Sequence, residues 1–263
     1  MDNSWDFFGD SFGDCKPSEL PALPDGRQLL IQTGNFAECN VSALVWTGAI
    51  SLCRWMLSAA DEIRGKAVLE LGTGTGACGL YAAALGARRV TLTDGGSPAG
   101  FSSLATASLN AEANRELWST ETEVAVTPYT WGEPFGAELG GYNLVIGSDL
   151  TAYSKEAHLA LCSSLAEQLR KHSGGCRVVM SHYHRTHGIH AALPSGGDES
   201  LRDGTFENFI ARAAEAGLTV RTFQEDWPSL LRLAASKNGD RSQICKPSYQ
   251  TALENQQMRS GTC

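Results

Sequence analysis

The chain has 263 residues, 42% of them apolar, with 29 acidic against 21 basic side chains and a formal net charge of −8. This length fits one α/β domain with extensions or one large domain, and the acidic balance argues against binding nucleic acid through bulk charge. No apolar run approaches the ~18 residues of a membrane-crossing helix, so no membrane span is expected. The opening stretch MDNSWDFFGDSFGDCKPSEL lacks the basic start and apolar run of a secretory signal. Cysteines stand apart at positions 15, 39, 53, 78, 162, 176, 245 and 263 without a CxxC pair. That pattern predicts reduced core thiols and a cytoplasmic or nuclear setting.

Residues 1–26, rich in Gly, Asp and Pro, predict a poorly ordered acidic arm. RQLLIQTG (27–34) reads as a strand. SALVWTGAISLCRWMLSAADEI (42–63) has helical apolar spacing, with Ser42 as N-cap and Gly65 as stop. Strands and helices then alternate. AVLEL (67–71), RRVTLTD (88–94), TEVAVTPYTW (122–131), YNLVIGSDL (142–150), CRVVMSHYH (176–184) and LTVRTF (218–223) hold strands. Residues 76–87, 101–117, 155–172 and 205–217 read as helices, the last with Thr205 before it and Gly217 after it. SLLRLAAS (229–236) is compatible with a final strand or a helix, and 237–263 predicts a polar C-terminal tail. This alternation implies an α/β domain over 27–236, with a mostly parallel sheet covered by helices on both faces.

The first strand runs into ELGTGTG, with glycines at 72, 74 and 76. Such a turn lets a ligand approach the backbone without a Cβ clash, and the following helix N-terminus adds free N–H groups. Gly72, Gly74 and Ala77 also satisfy the looser dinucleotide pattern GxGxxA. Glu70 argues the other way. An acid beside the turn suits a cofactor with sulfonium and ammonium groups better than a pyrophosphate. Asp94, at the end of the second strand, can accept hydrogen bonds from ribose hydroxyls in either cofactor class.

VLELGTGTG followed by VTLTD resembles the S-adenosylmethionine-binding start of the seven-strand methyltransferases. SALVWTGAISLCRWM, TPYTWGE, NLVIGSDLTAYSKEAHLALCSSL and FENFIARAAEAGLTV extend the likeness to the family 16 lysine methyltransferases, over about residues 27 to 225. The resemblance implies a Rossmann-like three-layer sandwich with seven strands, S-adenosyl-L-methionine as cofactor, and a protein lysine as acceptor. It implies that Gly72, Thr73, Gly74 and Gly76 line the methionine end of the cofactor and that Asp94 holds the ribose. Glu70 either meets the ammonium, directly or through water, or caps backbone N–H groups. Trp46 and Trp131 are each read as a cofactor contact or a core residue, and Ser148 as lining the same pocket. Asp149 and Tyr153 are expected to anchor and orient the acceptor amine, while the competing role for Asp149 is to N-cap the next helix. The commoner family pattern is Asp-x-x-Tyr or Asp-x-x-Phe. In DLTAY one more residue intervenes, so either the turn is longer or Ala152 takes the aromatic position.

SHYHRTHGIH places His182 and His184 on one face of a strand, with His187 and His190 beyond. No acid or cysteine stands nearby at ligand spacing. No metal site is therefore expected, and the histidines are read as lining the substrate side. A monomer acting on a protein substrate, without nucleic acid or membrane partners, is the expected organisation. The competing functions are a small-molecule methyltransferase, a cofactor-binding interaction module without transferase activity, and a dehydrogenase.

Overall fold

The computed structural model describes residues 20–33, 42, 44–95, 98–136, 139–171, 175–183, 204–224 and 229–235. The strands are β1 (Ala67–Leu71), β2 (Arg89–Asp94), β3 (Glu123–Pro128), β4 (Leu144–Ser148), β5 (Arg177–His182), β6 (Leu218–Gln224) and β7 (Ser229–Ala235). The helices are α1 (Thr47–Ser58), α2 (Ala60–Ile63), α3 (Ala77–Ala84), α4 (Pro98–Ala113), α5 (Lys155–Lys171) and α6 (Gly204–Glu215). One seven-stranded sheet runs β3-β2-β1-β4-β5-β7-β6. All pairings are parallel except those of β7, which is antiparallel to both β5 and β6.

All five residues of β1 are buried, which explains its unbroken apolar run: a strand covered on both faces has no solvent side to alternate with. Val68 and Val90 pack with Leu52 and Met56 of α1, Leu80 and Tyr81 of α3, and Ala107 of α4. Leu69 and Val145 pack on the other face, with Leu161 and Leu165 of α5 and Phe206 and Phe209 of α6. The result is the expected three-layer sandwich. SLLRLAA, ambiguous by pattern, is the seventh strand. Leu231 and Leu233 enter one core layer and Leu230 the other, as strand alternation requires.

Three expectations are corrected. The described part of RQLLIQTG, 27–33, is not a strand and lies outside the sheet. Its backbone bonds to side chains instead. Leu30 N–H and Gln32 N–H donate to Asn114 Oδ1 and Asn110 Oδ1, both at 2.8 Å. Asn114 Nδ2 and Asn110 Nδ2 return the bonds to the Leu30 and Gln32 carbonyls at 2.9 and 3.0 Å. Two asparagines four residues apart, Asn110 on α4 and Asn114 just past its end, thus stand in for a neighbouring strand, meeting residues i and i+2 of the strap. Second, α1 begins at Thr47, with extended Trp46 as its N-cap, and Ser42 lies in a separate turn. Third, Leu20 and Leu23, from the stretch read as part of the arm, are buried in the α1–α3–α4 layer. Residues 1–19 and 236–263 lie outside the described residues.

Among the described residues, no helix is long and apolar enough to cross a membrane. Cys53, Cys78, Cys162 and Cys176 carry free thiols.

Candidate functional site

From β1 the strand order proceeds to β2 on one side and to β4 on the other, so the switch point lies between β1 and β4. Ligands of open α/β sheets bind at the carboxyl ends of strands at such a point. A cavity of 490 Å³ opens here. Of the residues expected to act, Trp46, Glu70, Gly72, Thr73, Gly74, Ser148, Asp149 and Tyr153 line it, and Ala152 does too. Gly76, Asp94 and Trp131 are outside that lining.

The glycine turn is held from below. Glu70 is 2% exposed. Its Oε2 accepts from the Thr73 hydroxyl at 2.5 Å and from Gly79 N–H at 3.0 Å. A Cβ on Gly79 would stand 2.7 Å from that oxygen, so the glycine is what lets α3 close onto the acid. Burial pushes the Glu70 carboxyl up to about 7, against the pull of both hydrogen bonds, and the nearby Asp94 carboxylate adds to the rise. Glu70 thus holds the Thr73 hydroxyl and the Gly79 N–H near the start of α3 while it also lines the cavity.

Gly72 and Gly74 have φ of +60° and +53°. A Cβ on Gly72 would meet Leu150 at 2.6 Å, and one on Gly74 would meet the Ser42 carbonyl oxygen at 3.0 Å. Gly76 differs. It N-caps α3, and its missing Cβ would face Ala107 and Leu92 at 3.3 Å, so it serves helix packing rather than the cavity wall. Asp94 Oδ2 accepts Gly74 N–H and Oδ1 accepts Gly95 N–H, both at 2.9 Å. Burial raises its pKa, while these two bonds lower it. Each oxygen keeps a further lone pair for a hydroxyl donor.

Across the cavity, Asp149 follows β4 with φ +59°, the one non-glycine left-handed residue among those described. It is 7% exposed. Its N–H donates to the Ser181 carbonyl at 2.9 Å, and its Oδ1 accepts Tyr183 N–H at 3.1 Å. It does not cap α5, because that helix takes Ser154 Oγ on Ala157 N–H at 3.3 Å. Leu150–Ala152 form one 3₁₀ turn, which carries the chain from Asp149 to Tyr153. With this turn, Ala152 and Tyr153 both come to line the cavity. The Tyr153 ring, 39% exposed, meets Trp131 edge-on at 5.4 Å. Trp131 in turn abuts Gly72, with its Cζ2 3.3 Å from where a Cβ would be. Trp131 thus buttresses both turns from behind.

Several contributors are not legible in the motifs. Gly48 lets α1 seat on the strand ends, since a Cβ there would stand 2.9 Å from Ser181 Oγ and 3.0 Å from Ser148 Oγ. Those two hydroxyls bond each other at 3.2 Å. Asn110 Nδ2 also donates to the Thr75 carbonyl at 2.8 Å, tying the glycine turn to α4. His182, expected to line the substrate side, is fully buried, with Nδ1 2.5 Å from Thr151 Oγ1. His184, His187 and His190 lie outside the described residues.

A family model described as lysine methyltransferase matches residues 25–191. Protein N-lysine methyltransferase METTL21A of Danio rerio is 38% identical over 143 residues, covering 54% of this chain and 60% of that protein. EEF1A lysine methyltransferase 3 of Mus musculus is 34% identical over 125 residues, covering 48% of this chain and 50% of that protein. The matched part thus spans between half and three-fifths of these curated relatives. Among solved structures, magnesium protoporphyrin IX methyltransferase from Synechocystis PCC 6803 with bound SAH is 18% identical with a TM-score of 0.47, over 72% of this chain and 82% of that one.

Proposed function

The chain belongs to the lysine methyltransferase family, and from that premise we propose that it transfers a methyl group from S-adenosyl-L-methionine to a lysine side chain of a protein substrate. The observation that carries this reading is the continuity of one cavity. It joins the glycine turn and Glu70 at one end to Asp149 and Tyr153 at the other. The fit to the cofactor rests on the turn itself. Two left-handed glycines in the cavity wall, Gly72 and Gly74, and a buried acid suit a ligand that lies close to the backbone and carries positive charge.

S-adenosylmethionine supplies a sulfonium-activated methyl when bound. The residues of this chain then have three tasks. Glu70 and Thr73 fix the turn, and Asp94 offers acceptor lone pairs at the β2 end. The apolar lining, with Leu44, Val45, Leu150 and Ala157, disfavours an ammonium and so favours the free amine that a displacement at carbon needs. Asp149, with one oxygen fixed by Tyr183 N–H, orients that amine beside Tyr153.

The test is tritiated S-adenosylmethionine with lysate proteins from cells lacking the enzyme. Wild type is run beside Asp149→Asn, which keeps a side chain tolerant of positive φ. Labelled protein is expected with wild type, methyl-lysine on its hydrolysis, and transfer lower by about 100-fold or more in the variant at nearly unchanged cofactor affinity. Cofactor binding without any labelled protein would support an interaction module instead, and a labelled small molecule would move the acceptor out of the protein class.

A further inference from the structure

Asp149 and Tyr153 stand at the two ends of one 3₁₀ turn. Its first residue is left-handed without being glycine, and its own bond, from Ala152 N–H to the Asp149 carbonyl, is long at 3.4 Å. Support comes from behind, at Thr151, which is fully buried and outside the cavity lining. Two buried histidines grip it from different elements. His182 Nδ1, at the end of β5, lies 2.5 Å from Thr151 Oγ1. His158 Nε2, on α5, lies 3.0 Å from the Thr151 carbonyl oxygen.

The chemistry fixes one of these rings. A carbonyl only accepts, so His158 Nε2 must carry the proton. Its Nδ1 lies 2.8 Å from Asn208 Nδ2 on α6, which matches an amide donating to a ring nitrogen. Packing fixes both rings as well. Phe206 stacks on His182 at 4.3 Å and 12°, and Phe209 meets His158 edge-on at 5.7 Å. One face of α6 therefore orients two imidazoles that converge on one threonine. A buried polar network of this kind contributes little to stability over an apolar filling of the same volume, but it selects a single arrangement.

We propose that Thr151, held by His158 and His182, is a positioning residue that sets the geometry of Asp149 and Tyr153 for the acceptor, without affecting cofactor affinity. The catalytic part of this inference rests on the methyl-transfer reading; the structural part does not. The test uses the full chain with Thr151→Val, which removes the hydroxyl at constant shape, and Thr151→Ser, which restores it. The primary readout is amide exchange at Tyr183, whose N–H donates to Asp149 Oδ1. The second is cofactor affinity by titration with S-adenosylmethionine, and the third is turnover on the lysate proteins that wild type labels. Thr151→Val is expected to speed Tyr183 exchange about tenfold or more and to cut kcat by a similar factor, with cofactor Kd within about twofold. Thr151→Ser is expected to return both toward wild type. Asn208→Leu, farther from the turn, should give the same pattern more weakly, and it serves if the valine variant does not fold. Unchanged Tyr183 exchange in a folded Thr151→Val or Asn208→Leu overturns the proposal, as does a loss of cofactor affinity equal to the loss of turnover. If wild type labels nothing, the methyl-transfer reading falls, and Tyr183 exchange still decides whether Thr151 positions Asp149.

Discussion

Burial leaves the Glu70 carboxyl titrating at about 7, against an ordinary value of 4.5. Between those two pH values the folded chain retains a proton that the unfolded chain has released. Stability must therefore fall as pH rises through that window, by roughly 3 kcal/mol in all. Glu70→Gln keeps an acceptor for Thr73 and Gly79 but cannot titrate. In urea unfolding from pH 4.5 to 7.5, wild type should lose stability relative to this variant; parallel profiles would show that the carboxyl is already solvated. The glycines make a second prediction at this scale. Gly74→Ala combines positive φ with a backbone oxygen 3.0 Å from the new Cβ. A cost of about 1–3 kcal/mol and at least a tenfold weaker cofactor Kd are expected from thermal melts and titration. An affinity equal to wild type would mean that the turn does not approach the ligand.

At the scale of elements, the pair Asn110 and Asn114 replaces what a strand would have supplied. Each donates and accepts once with the strap, so Asn114→Ala leaves two strap groups without partners and should destabilise by about 1–3 kcal/mol. Asn114 also donates to the Asn110 carbonyl, which the Asn114 N–H serves as well, whereas Asn110→Ala removes a buried bond to the Thr75 carbonyl and should cost more. Guanidinium unfolding ranks the two, and an equal or reversed order would show that the Thr75 link is idle. The same strap shows why RQLLIQTG misleads: a short apolar run does not say what its backbone bonds to. β1, β2, β4, β5 and the helices between them were legible because short apolar runs and capping signals are local. Glu70, the glycine turn, Asp149 and Tyr153 were legible as a spacing motif. Gly76 looked like its neighbours because the spacing cannot tell a glycine needed by a ligand from one needed by α4. His182, Thr151 and Asn208 are far apart in the chain, and their meeting depends on how β5, the 3₁₀ turn and α6 pack, which no local pattern encodes.

For the molecule as a whole, the net charge of −8 bears on encounter rather than on fold. If the acceptor segment is basic, long-range attraction speeds its arrival and added salt screens it. Raising ionic strength from about 20 to 200 mM should then lower kcat/KM severalfold with little change in kcat; a flat response would indicate a neutral acceptor surface. The rims of the sheet bear on a different hazard. β3 lies at one border, with exposed Glu123 at its start and Pro128, which has no N–H to offer, at its end. β6 lies at the other, with exposed Arg221 and a register break between Thr222 and Gln224. An outside strand trying to extend the sheet would meet a charge, a missing donor or a kink at either border. Two open edges therefore need not make this chain adhesive. Sedimentation at rising concentration should return a single small species, and Pro128→Val combined with Glu123→Thr should be what first makes it self-associate.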